Sequence, residues 1–348
     1  MAHARSASLS AAAVPRRPYP DGWFAVARAA DVGGGRPLRV QLAGQDLISY
    51  RTRDGDAVTA GAYCPHLGAH LGHGGRVQGD IVICPFHGLG FNPAGECVRA
   101  PAGTTPPRAQ LDLHPTIERN GLIFVWRHSA GRPPAWDIPV ADLAGYGRPV
   151  VFRRILTGHP QEIVENSVDI GHFGPLHHYS GSRVREGMVT NGHKMTIRPA
   201  ATRSTPLLGA TEIIFDVEAH GLGYILAKAR IARPRARAVF QLMATPLDRS
   251  TVDARFSVTV GMDSLSSTAV ASKLSWWMTR VLAPLFWSDI RRDFPIWENK
   301  VYLDRPHLSA GDGPILPFRR WAAQFYSEHP SGDAIDPTQG RVQASSRF

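Results

Sequence analysis

The 348-residue chain has only three cysteines and no long uninterrupted apolar run. Three thiols cannot all pair, which argues against a disulfide framework. The most apolar stretch, Ala269 to Trp287, is interrupted by Lys273, Arg280 and Pro284, whereas a membrane span needs about 20 nearly uncharged residues. We expect a helix there that does not span a membrane. Near the N-terminus the only apolar run is Ala11 to Val14, too short for a secretory signal, and we expect a cytoplasmic protein.

Acidic side chains are too few to balance the basic ones, and the net charge is +10. The densest basic stretch, Lys228 to Arg237, lies in a strand-like segment without interleaved aromatic residues and matches no nucleic-acid-binding module. We therefore expect a solvated strand face and no nucleic acid partner. Docking of an acidic protein is the alternative, because long-range steering requires only a complementary patch.

Glycine, proline and aspartate clusters divide the chain into two parts, in agreement with the usual domain size. Up to about Trp126, short strand-like runs predict a small all-β domain. A linker at Arg132 to Pro134 follows. We place the first domain at residues 18–131 and the second at 135–330, with a disordered tail over 1–17 and a flexible tail over 331–348.

The second domain is predicted to contain several strands, one early helix and one late helix, so the class is α+β. The early helix covers Glu162 to His172, and the late one covers Ser266 to Trp287. The predicted strands are Val150 to Leu156, Lys194 to Arg198, Glu212 to Ala219, Gly223 to Ile231, Ala236 to Ala244 and Val252 to Val260.

Two cysteines stand in loops that each also carry a histidine. Cys64 and His66 lie in the first loop, Cys84 and His87 in the second, and seventeen residues separate His66 from Cys84. Two Cys with two His suit either zinc or a Rieske [2Fe–2S] cluster. Structural zinc ligands usually come in pairs of like type, whereas each loop here mixes the two types. The spacing therefore favours the Rieske cluster.

The whole stretch from Cys64 to Val98 resembles the N-terminal domain of the Rieske non-heme iron oxygenases. Leu89 departs from that pattern, since many members have Trp there. His70 and His73 lie in the same stretch, but the glycines around them argue against a helix that would align them, and we expect loop histidines. For Cys97 we expect a buried structural thiol.

A second group of candidate ligands lies beyond the linker. Asp169 and His172 are three residues apart, and His177 follows five residues later. On an unbroken helix His177 would point about 140° away from His172, but Gly174-Pro175 breaks the helix and allows both imidazoles to converge. Two histidines and one carboxylate, with the other positions open, form the facial triad of non-heme Fe(II) oxygenases.

The N-x-x-D-x-x-H-x-x-x-x-H stretch that begins at Asn166 is similar to the mononuclear iron motif of the same oxygenase family. The resemblance implies that Asp293, in a D-x-x-I-W segment like that of steroid-acting members, is the third iron ligand. Asp289, one helical turn earlier, is the alternative. For Asp169 the resemblance implies a bridge that carries electrons from a Rieske histidine of one subunit to an iron-ligand histidine of its neighbour, and hence a homotrimer.

The resemblance also implies a fold and a reaction. The second domain is expected to be a helix-grip, START-like catalytic domain with an antiparallel sheet and a long C-terminal helix. The cofactors are expected to be the cluster and a mononuclear Fe(II), with O₂ as co-substrate. Electrons from NAD(P)H are expected through a separate ferredoxin reductase, or a ferredoxin plus reductase, because the chain has no G-x-G-x-x-G motif.

The segments Gln161 to Phe173 and Asp293 to Lys300 are similar to cholesterol 7-desaturases of the Neverland type and to 3-ketosteroid 9α-hydroxylase oxygenases. A sterol or steroid substrate is the first expectation. Two alternatives stay open, an oxygenase or O-demethylase of small aromatic compounds and a non-catalytic Rieske electron carrier. For the aromatic-rich late helix we expect core packing, with a role in substrate access or in peripheral membrane contact as the alternative.

Overall fold

The computed structural model describes residues 17–33, 35–205, 209–232, 235–262 and 269–327. Both predicted tails, 1–17 and 331–348, lie outside the described residues except for Arg17. Within the described part, no helix is both long and apolar enough to cross a membrane.

The first part of the chain consists of three small antiparallel sheets. Their orders are β1-β11-β10, β2-β3-β4-β9 and β5-β6-β7-β8. The last of these carries the loop of Cys84 between β6 and β7. The strands are Gly22–Arg28 (β1), Leu38–Leu42 (β2), Gln45–Arg51 (β3), Ala57–Gly61 (β4), Arg76–Gln78 (β5), Ile81–Ile83 (β6), Gly90–Phe91 (β7), Cys97–Arg99 (β8), Leu113–His114 (β9), Thr116–Arg119 (β10) and Leu122–Arg127 (β11).

The second part is built on one seven-stranded antiparallel sheet of order β12-β18-β17-β16-β15-β14-β13. Its strands are Val150–Thr157 (β12), Ser180–Asn191 (β13), Lys194–Thr205 (β14), Gly209–His220 (β15), Tyr224–Ile231 (β16), Ala236–Pro246 (β17) and Thr251–Met262 (β18). Its α-helices are Pro160–Glu165 (α1), Ala269–Ile290 (α2), Phe294–Asn299 (α3) and Ile315–Ala322 (α4). The α+β class, with an antiparallel sheet and a long C-terminal helix, is therefore confirmed.

Strand β1 joins the two parts. It is buried from Gly22 to Ala27, because one edge pairs with β11 and the strand also packs on the large sheet. Thr245 Oγ1 on β17 donates to the carbonyl of Ala25 at 2.8 Å, and Arg255 on β18 donates to the carbonyls of Ala25 and Val26 at 3.0 and 2.6 Å. Such bonds satisfy backbone groups that the interface would otherwise leave unpaired.

The segment around residue 325 also returns to the first part. The backbone N–H of Asp21 donates to the carbonyl of Phe325 at 2.7 Å, and Ser327 Oγ donates to Asp21 Oδ2 at 2.5 Å. The same carboxylate accepts from Arg127 and from the backbone N–H of Ser129, each at 2.7 Å. A single buried carboxylate thus holds three distant segments together.

The predicted helix from Glu162 to His172 is wrong in its extent. Helix α1 ends at Glu165, and after a turn the chain continues as a 3₁₀ turn over Gly171–Phe173. Asn, Ser and Asp follow one another closely here, and their side chains compete with the helix for backbone groups. Ser167 Oγ, for example, donates to the carbonyl of Val164 at 2.7 Å.

Strand β13 was not predicted, and two short helices, α3 and α4, follow the late helix. Most side chains of β13 are exposed, and its pairing with β14 is interrupted by three register shifts. An irregular edge strand shows no alternation of apolar and polar residues, which is the signal on which strand prediction depends.

Three smaller expectations have mixed outcomes. Lys228 and Arg230 are exposed on β16, as expected for a solvated strand face, whereas Arg233 lies outside the described residues. Cys97 is only half-buried, so the expectation of a buried thiol is wrong. Helix α2 packs on the sheet through only one side, because Leu285 is 65% exposed and Trp277 58% exposed. The expectation of core packing therefore holds for Met278, Leu282 and Phe286 and is wrong for Trp277 and Leu285.

Candidate functional site

The two Cys/His loops have the same backbone structure. In the first, the N–H of Cys64 donates to the carbonyl of Ala69 at 2.8 Å, and the N–H of Gly68 donates to the carbonyl of Cys64 at 2.9 Å. The second loop repeats both bonds around Cys84 at 2.8 and 3.1 Å. Gly68 and Gly88 have φ values of +75° and +70°, which only glycine adopts without strain. The repeated C-P-x-H and C-P-H sequences thus fold into matching turns.

Like side chains pair across the two loops. The thiols of Cys64 and Cys84 are buried and adjacent, and the imidazole rings of His66 and His87 lie 4.8 Å apart at the surface. Two thiols on one side and two imidazoles on the other suit two irons.

Burial also affects the protonation of the Cys64 thiol. Burial is the main cause that raises the pKa of the Cys64 thiol to about 11, and the adjacent Cys84 adds to it. A thiolate is the form that binds metal, and a bound cation would offset the cost of its burial.

His70 and His73, which lie in the same stretch, make other contacts. The N–H of Gly72 donates to His70 Nδ1 at 3.0 Å, and Nη1 of Arg39 lies 2.9 Å from His73 Nε2. Both are therefore loop histidines, as expected.

The second group of candidate ligands gathers between α1 and α3. Atoms of His172, His177 and Asp293 lie within 4.8 Å of one another. Asp293 Oδ1 is 3.4 Å from His177 Nε2 and 3.9 Å from His172 Nε2. Asp293 is only 1% exposed, and its Oδ2 has no hydrogen-bond partner within the described residues. A buried carboxylate with an unpaired oxygen beside two imidazoles fits a bound cation.

The electrostatics of His177 agree with that conclusion. Burial acts to lower the pKa of His177, but hydrogen bonds and charges from Asp289 and Asp293 outweigh it and raise the pKa to about 9. The surroundings thus attract positive charge, which a metal ion supplies when the imidazole is neutral.

Asp289 lies behind His177 and not beside the other ligand atoms. Its Oδ1 is 3.6 Å from His177 Nδ1, the nitrogen that faces away from Asp293. Its Oδ2 accepts from Arg203 at 2.9 Å and from the Tyr179 hydroxyl at 3.4 Å. Burial acts to raise the pKa of Asp289, but its contact with His177 and the charge of Arg203 lower it overall. At 3.6 Å, Asp289 Oδ1 and His177 Nδ1 form an ion pair and not a hydrogen bond, and a carboxylate that faces one ring nitrogen can still orient the other toward a metal.

Asn166 and Asp169 each contact His172. Asn166 Nδ2 lies 3.3 Å from His172 Nε2 and donates to Asp293 Oδ1 at 3.3 Å. Asp169 Oδ1 is 3.6 Å from His172 Nδ1, and the Asp169 side chain is 35% exposed. Asp169 therefore connects the inner imidazole to the protein surface. His178, the residue after His177, is exposed.

An apolar cavity of about 190 Å³ opens from this group of side chains. Its polar end is formed by Asn166, Ser167, His172, His177, Tyr179, Asp289 and Asp293. Strands β15 to β18 and helix α2 supply most of the remaining wall with Ile213, Phe215, Val217, Ile225, Ala227, Ala229, Ile231, Phe240, Leu242, Phe256, Phe286 and Ile290, and Ile163, Phe173, Pro199 and Trp297 complete it. Such a cavity binds an apolar molecule with one end at the metal group.

Tyr179 and Arg203 were missed in the sequence. Arg203 lies on β14, far along the chain from Asp289, and no local motif connects the two residues. Tyr179 follows His177 closely, but only the fold places its hydroxyl against Asp289.

Comparison with known proteins agrees with both parts of the site. The Rieske [2Fe-2S] domain family matches residues 22–114, and the 3-ketosteroid 9alpha-hydroxylase C-terminal domain family matches residues 125–326. A cholesterol 7-desaturase from Bombyx mori is 30% identical over 332 residues, which cover 90% of this chain and 70% of that protein. The oxygenase component of a 3-ketosteroid-9-alpha-monooxygenase from Rhodococcus rhodochrous is 29% identical over 334 residues, with 91% and 84% covered.

Solved structures show the same fold. Dicamba monooxygenase bound to 3,6-dichlorosalicylic acid superposes with a TM-score of 0.70 at 19% identity, covering 90% of this chain and 98% of that one. NdmA of Pseudomonas putida CBB5 with caffeine superposes with a TM-score of 0.66 at 20% identity, covering 86% and 89%. By these matches the chain belongs to the Rieske non-heme iron oxygenases, with the ketosteroid 9α-hydroxylases and cholesterol 7-desaturases as its relatives, and it is an oxidoreductase that uses a [2Fe–2S] cluster and a mononuclear iron.

Proposed function

We propose that this protein is the oxygenase component of a system that hydroxylates or desaturates a sterol or steroid with O₂. The observation that carries the proposal is the apolar cavity that ends at His172, His177 and Asp293. Relatives that are named for cholesterol and ketosteroid substrates support the choice of substrate. In the same proposal, Cys64, His66, Cys84 and His87 hold the [2Fe–2S] cluster.

His172, His177 and Asp293 would each bind the iron in the proposed site. His172 and His177 would bind Fe(II) as neutral imidazoles, and Asp293 would bind it as a carboxylate, which leaves adjacent positions open. When bound, the iron supplies activation of O₂ next to the substrate. Asn166 donates to Asp293 Oδ1 through its amide N–H and so orients that carboxylate, and Asp289 faces Nδ1 of His177 and so orients that ring.

The rest of the cavity excludes water and orients the substrate. Its strand wall offers no hydrogen-bonding side chain, since β15, β16, β17 and β18 contribute only apolar residues to it. The shape of the cavity must therefore orient an apolar substrate. At the polar end, Tyr179 is the aromatic residue that carries a hydroxyl group. Water that is excluded from such a cavity cannot compete for the reactive centre.

Electrons would reach the iron across a subunit interface in a homotrimer. Asp169 contacts His172 and is partly exposed, which suits a bridge to a second subunit. On the cluster side, Leu67 is 65% exposed and Phe86 63% exposed beside the ligand histidines, and exposed apolar side chains around a redox centre suit a protein contact. The oxygenase is one component of a system with a reductase. For this chain we propose a ferredoxin reductase that uses NAD(P)H, with or without a ferredoxin, and a cytoplasmic setting that keeps the ligand thiols reduced.

One observation favours a second candidate, the oxygenation or O-demethylation of a small aromatic compound. The cavity of about 190 Å³ is smaller than the roughly 300–1,000 Å³ typical of pockets that bury drug-sized ligands. A four-ring substrate therefore requires side chains at the mouth of the cavity to move, whereas a single ring does not.

The test is turnover by the reconstituted enzyme. Protein loaded with cluster and Fe(II) is incubated with NAD(P)H, a ferredoxin reductase and a panel of sterols, ketosteroids and aromatic methyl ethers, and products are identified by mass. We expect a sterol or steroid product that has gained one oxygen atom or lost two hydrogen atoms. Conversion of methyl ethers alone would favour the second candidate.

A matched pair of variants separates an oxygenase from an electron carrier. His172→Ala should abolish turnover and mononuclear iron while the cluster spectrum stays unchanged. His178→Asn, at an exposed neighbouring histidine whose positive φ of +59° suits asparagine, should keep both. Full activity in His172→Ala would contradict the oxygenase mechanism at this site.

A further inference from the structure

Helix α2 is apolar on its outward side as well as on its inward side. Inward, Met278, Leu282 and Phe286 pack against the sheet. The outward side carries four exposed apolar residues at a spacing of three, four and four, which places them in one stripe along the helix. This outer stripe consists of Leu274, Trp277, Val281 and Leu285, which are 42%, 58%, 49% and 65% exposed.

The charges that flank the outer stripe have one sign. Lys273 and Arg280 are exposed, and the Arg280 guanidinium lies 5.2 Å from the ring centroid of Trp276, which is itself 44% exposed. From residue 269 to residue 288 the sequence contains no Asp or Glu. The first acidic residue of the helix, Asp289, is only 15% exposed and contacts His177 and Arg203.

The same helix also forms a wall of the substrate cavity. Phe286 and Ile290 line the cavity, one residue and five residues after Leu285 of the outer stripe. The inward side of α2 is covered by the sheet, and an exposed apolar stripe on the outward side needs cover of its own. The cover that fits is therefore a surface on which the helix lies flat.

We propose that the outer stripe of α2 lies against a lipid surface that carries anionic headgroups, so that an apolar substrate reaches the cavity from the bilayer. Delivery of a substrate from the bilayer rests on the proposed sterol function, whereas the lipid contact itself is inferred only from the exposed residues of α2. Tryptophan favours the membrane–water interface, and lysine and arginine at the edge of an apolar face pair with anionic headgroups.

A second copy related by a two-fold axis, in a contact separate from the proposed trimer contact at Asp169, is a poorer occupant of the same face. In a two-fold contact each residue of the face meets the same face of the partner. Lys273 and Arg280 would then approach their own copies without an acidic residue to pair with, and juxtaposed like charges oppose association.

The experiment measures binding of the holoenzyme to sedimented vesicles of phosphatidylcholine alone and of phosphatidylcholine mixed equally with phosphatidylserine. We expect binding that is stronger on the anionic vesicles and weakened by salt. The double variant Trp277→Ser with Leu285→Ser should lower the partition coefficient about tenfold on both kinds of vesicle. Lys273→Glu with Arg280→Glu should lower it about tenfold on the anionic vesicles alone.

Matched controls change the same kinds of side chain elsewhere. Val140→Ser with Val189→Ser removes two apolar residues that are 76% and 64% exposed. Arg36→Glu with Arg108→Glu reverses two exposed cations of the first domain and alters the net charge by the same amount. Binding should be nearly unchanged in the first control, and should fall less in the second than in the α2 charge variant. Equal losses in the controls and in the α2 variants would overturn the proposal.

Two further measurements separate the proposal from its alternatives. Turnover of a detergent-solubilised substrate should be equal in wild type and in Trp277→Ser with Leu285→Ser, whereas turnover of the same substrate delivered in vesicles should fall with binding. If no sterol or steroid is turned over while vesicle binding persists, the proposed substrate is wrong and the lipid contact stands. Absence of vesicle binding, together with an oligomer that only the α2 variant dissociates, would assign the outer stripe to a second copy and overturn the proposal.

Discussion

Exchange of a carboxylate for an amide should weaken iron binding far more at Asp293 than at Asp289. Asp293→Asn removes the buried negative charge that faces both imidazoles at 3.4 and 3.9 Å, and we expect loss of the mononuclear iron. Asp289→Asn leaves those ligand atoms in place, because Asp289 faces only Nδ1 of His177, at 3.6 Å. We expect this variant to keep its iron with a weaker affinity.

The size of the second effect follows from the surroundings of Asp289. Loss of a carboxylate that orients a ligand histidine costs about 10–100-fold in metal affinity, or about 1.4–2.7 kcal/mol at 1.36 kcal/mol per tenfold. The amide introduced by Asp289→Asn would still offer an oxygen to His177. Arg203 would lose its carboxylate partner, but it is 36% exposed, so water can replace that partner. We therefore expect a value near tenfold.

The assay is anaerobic titration of Fe(II) into protein whose cluster is intact. The visible absorption of the cluster counts the protomers, and it should be the same in both variants and in wild type. Retention of iron by Asp293→Asn together with its loss from Asp289→Asn would exchange the two roles and refute the geometric reasoning. Equal loss in both would show that the group does not tolerate a change of charge at either position.

Three other predictions concern the electron route, the cavity and acid stability. Asp169→Asn should keep iron and cluster but slow reoxidation of the pre-reduced cluster in single-turnover stopped flow by about 10–100-fold; an unchanged rate would remove Asp169 from the route. Ala229→Phe, on the apolar wall, should lose turnover of four-ring substrates before that of single-ring ones, at a stability cost of about 1–3 kcal/mol, which thermal unfolding measures. Burial lowers the pKa of His220 to about 4 despite Glu218 nearby. The same histidine in the unfolded chain has a pKa near 6.5, so as the pH falls the unfolded chain is protonated there before the folded protein is. Stability should fall by up to about 1.4 kcal/mol per pH unit from about 6.5 down to about 4, and His220→Gln should flatten that part of a denaturation-against-pH curve; an identical slope would contradict it.

Much of the fold could be predicted because its signals are local. The strands around Val40, Ile48 and Val258 have apolar residues at the expected positions, and the structure places strands there. The irregular edge strand β13 gives no such signal, since its register with β14 shifts repeatedly. The end of α1 depends on side chains that bond to the local backbone, which helix periodicity does not report.

The candidate site, too, could be predicted from the sequence only in part. Convergence of His172 and His177 follows from a break after His172 that Gly174-Pro175 already indicates. The choice between Asp289 and Asp293 does not follow from spacing, because residues four apart share one face of a regular helix. The chain leaves α2 at Ile290 and begins α3 at Phe294, so the intervening turn directs the two carboxylates to different sides of His177.

The buried carboxylate of Asp21 has a consequence for the order in which the protein assembles during synthesis. Its partners Phe325 and Ser327 follow the entire large sheet in the chain. The ribosome therefore releases the all-β domain about 200 residues before those partners exist, at domain-wise rates that allow it to fold first. Until then Asp21 has Arg127 and Ser129 as its protein partners. The first domain can therefore fold before its contacts with Phe325 and Ser327 form, and those contacts are completed only after the large sheet has been synthesised.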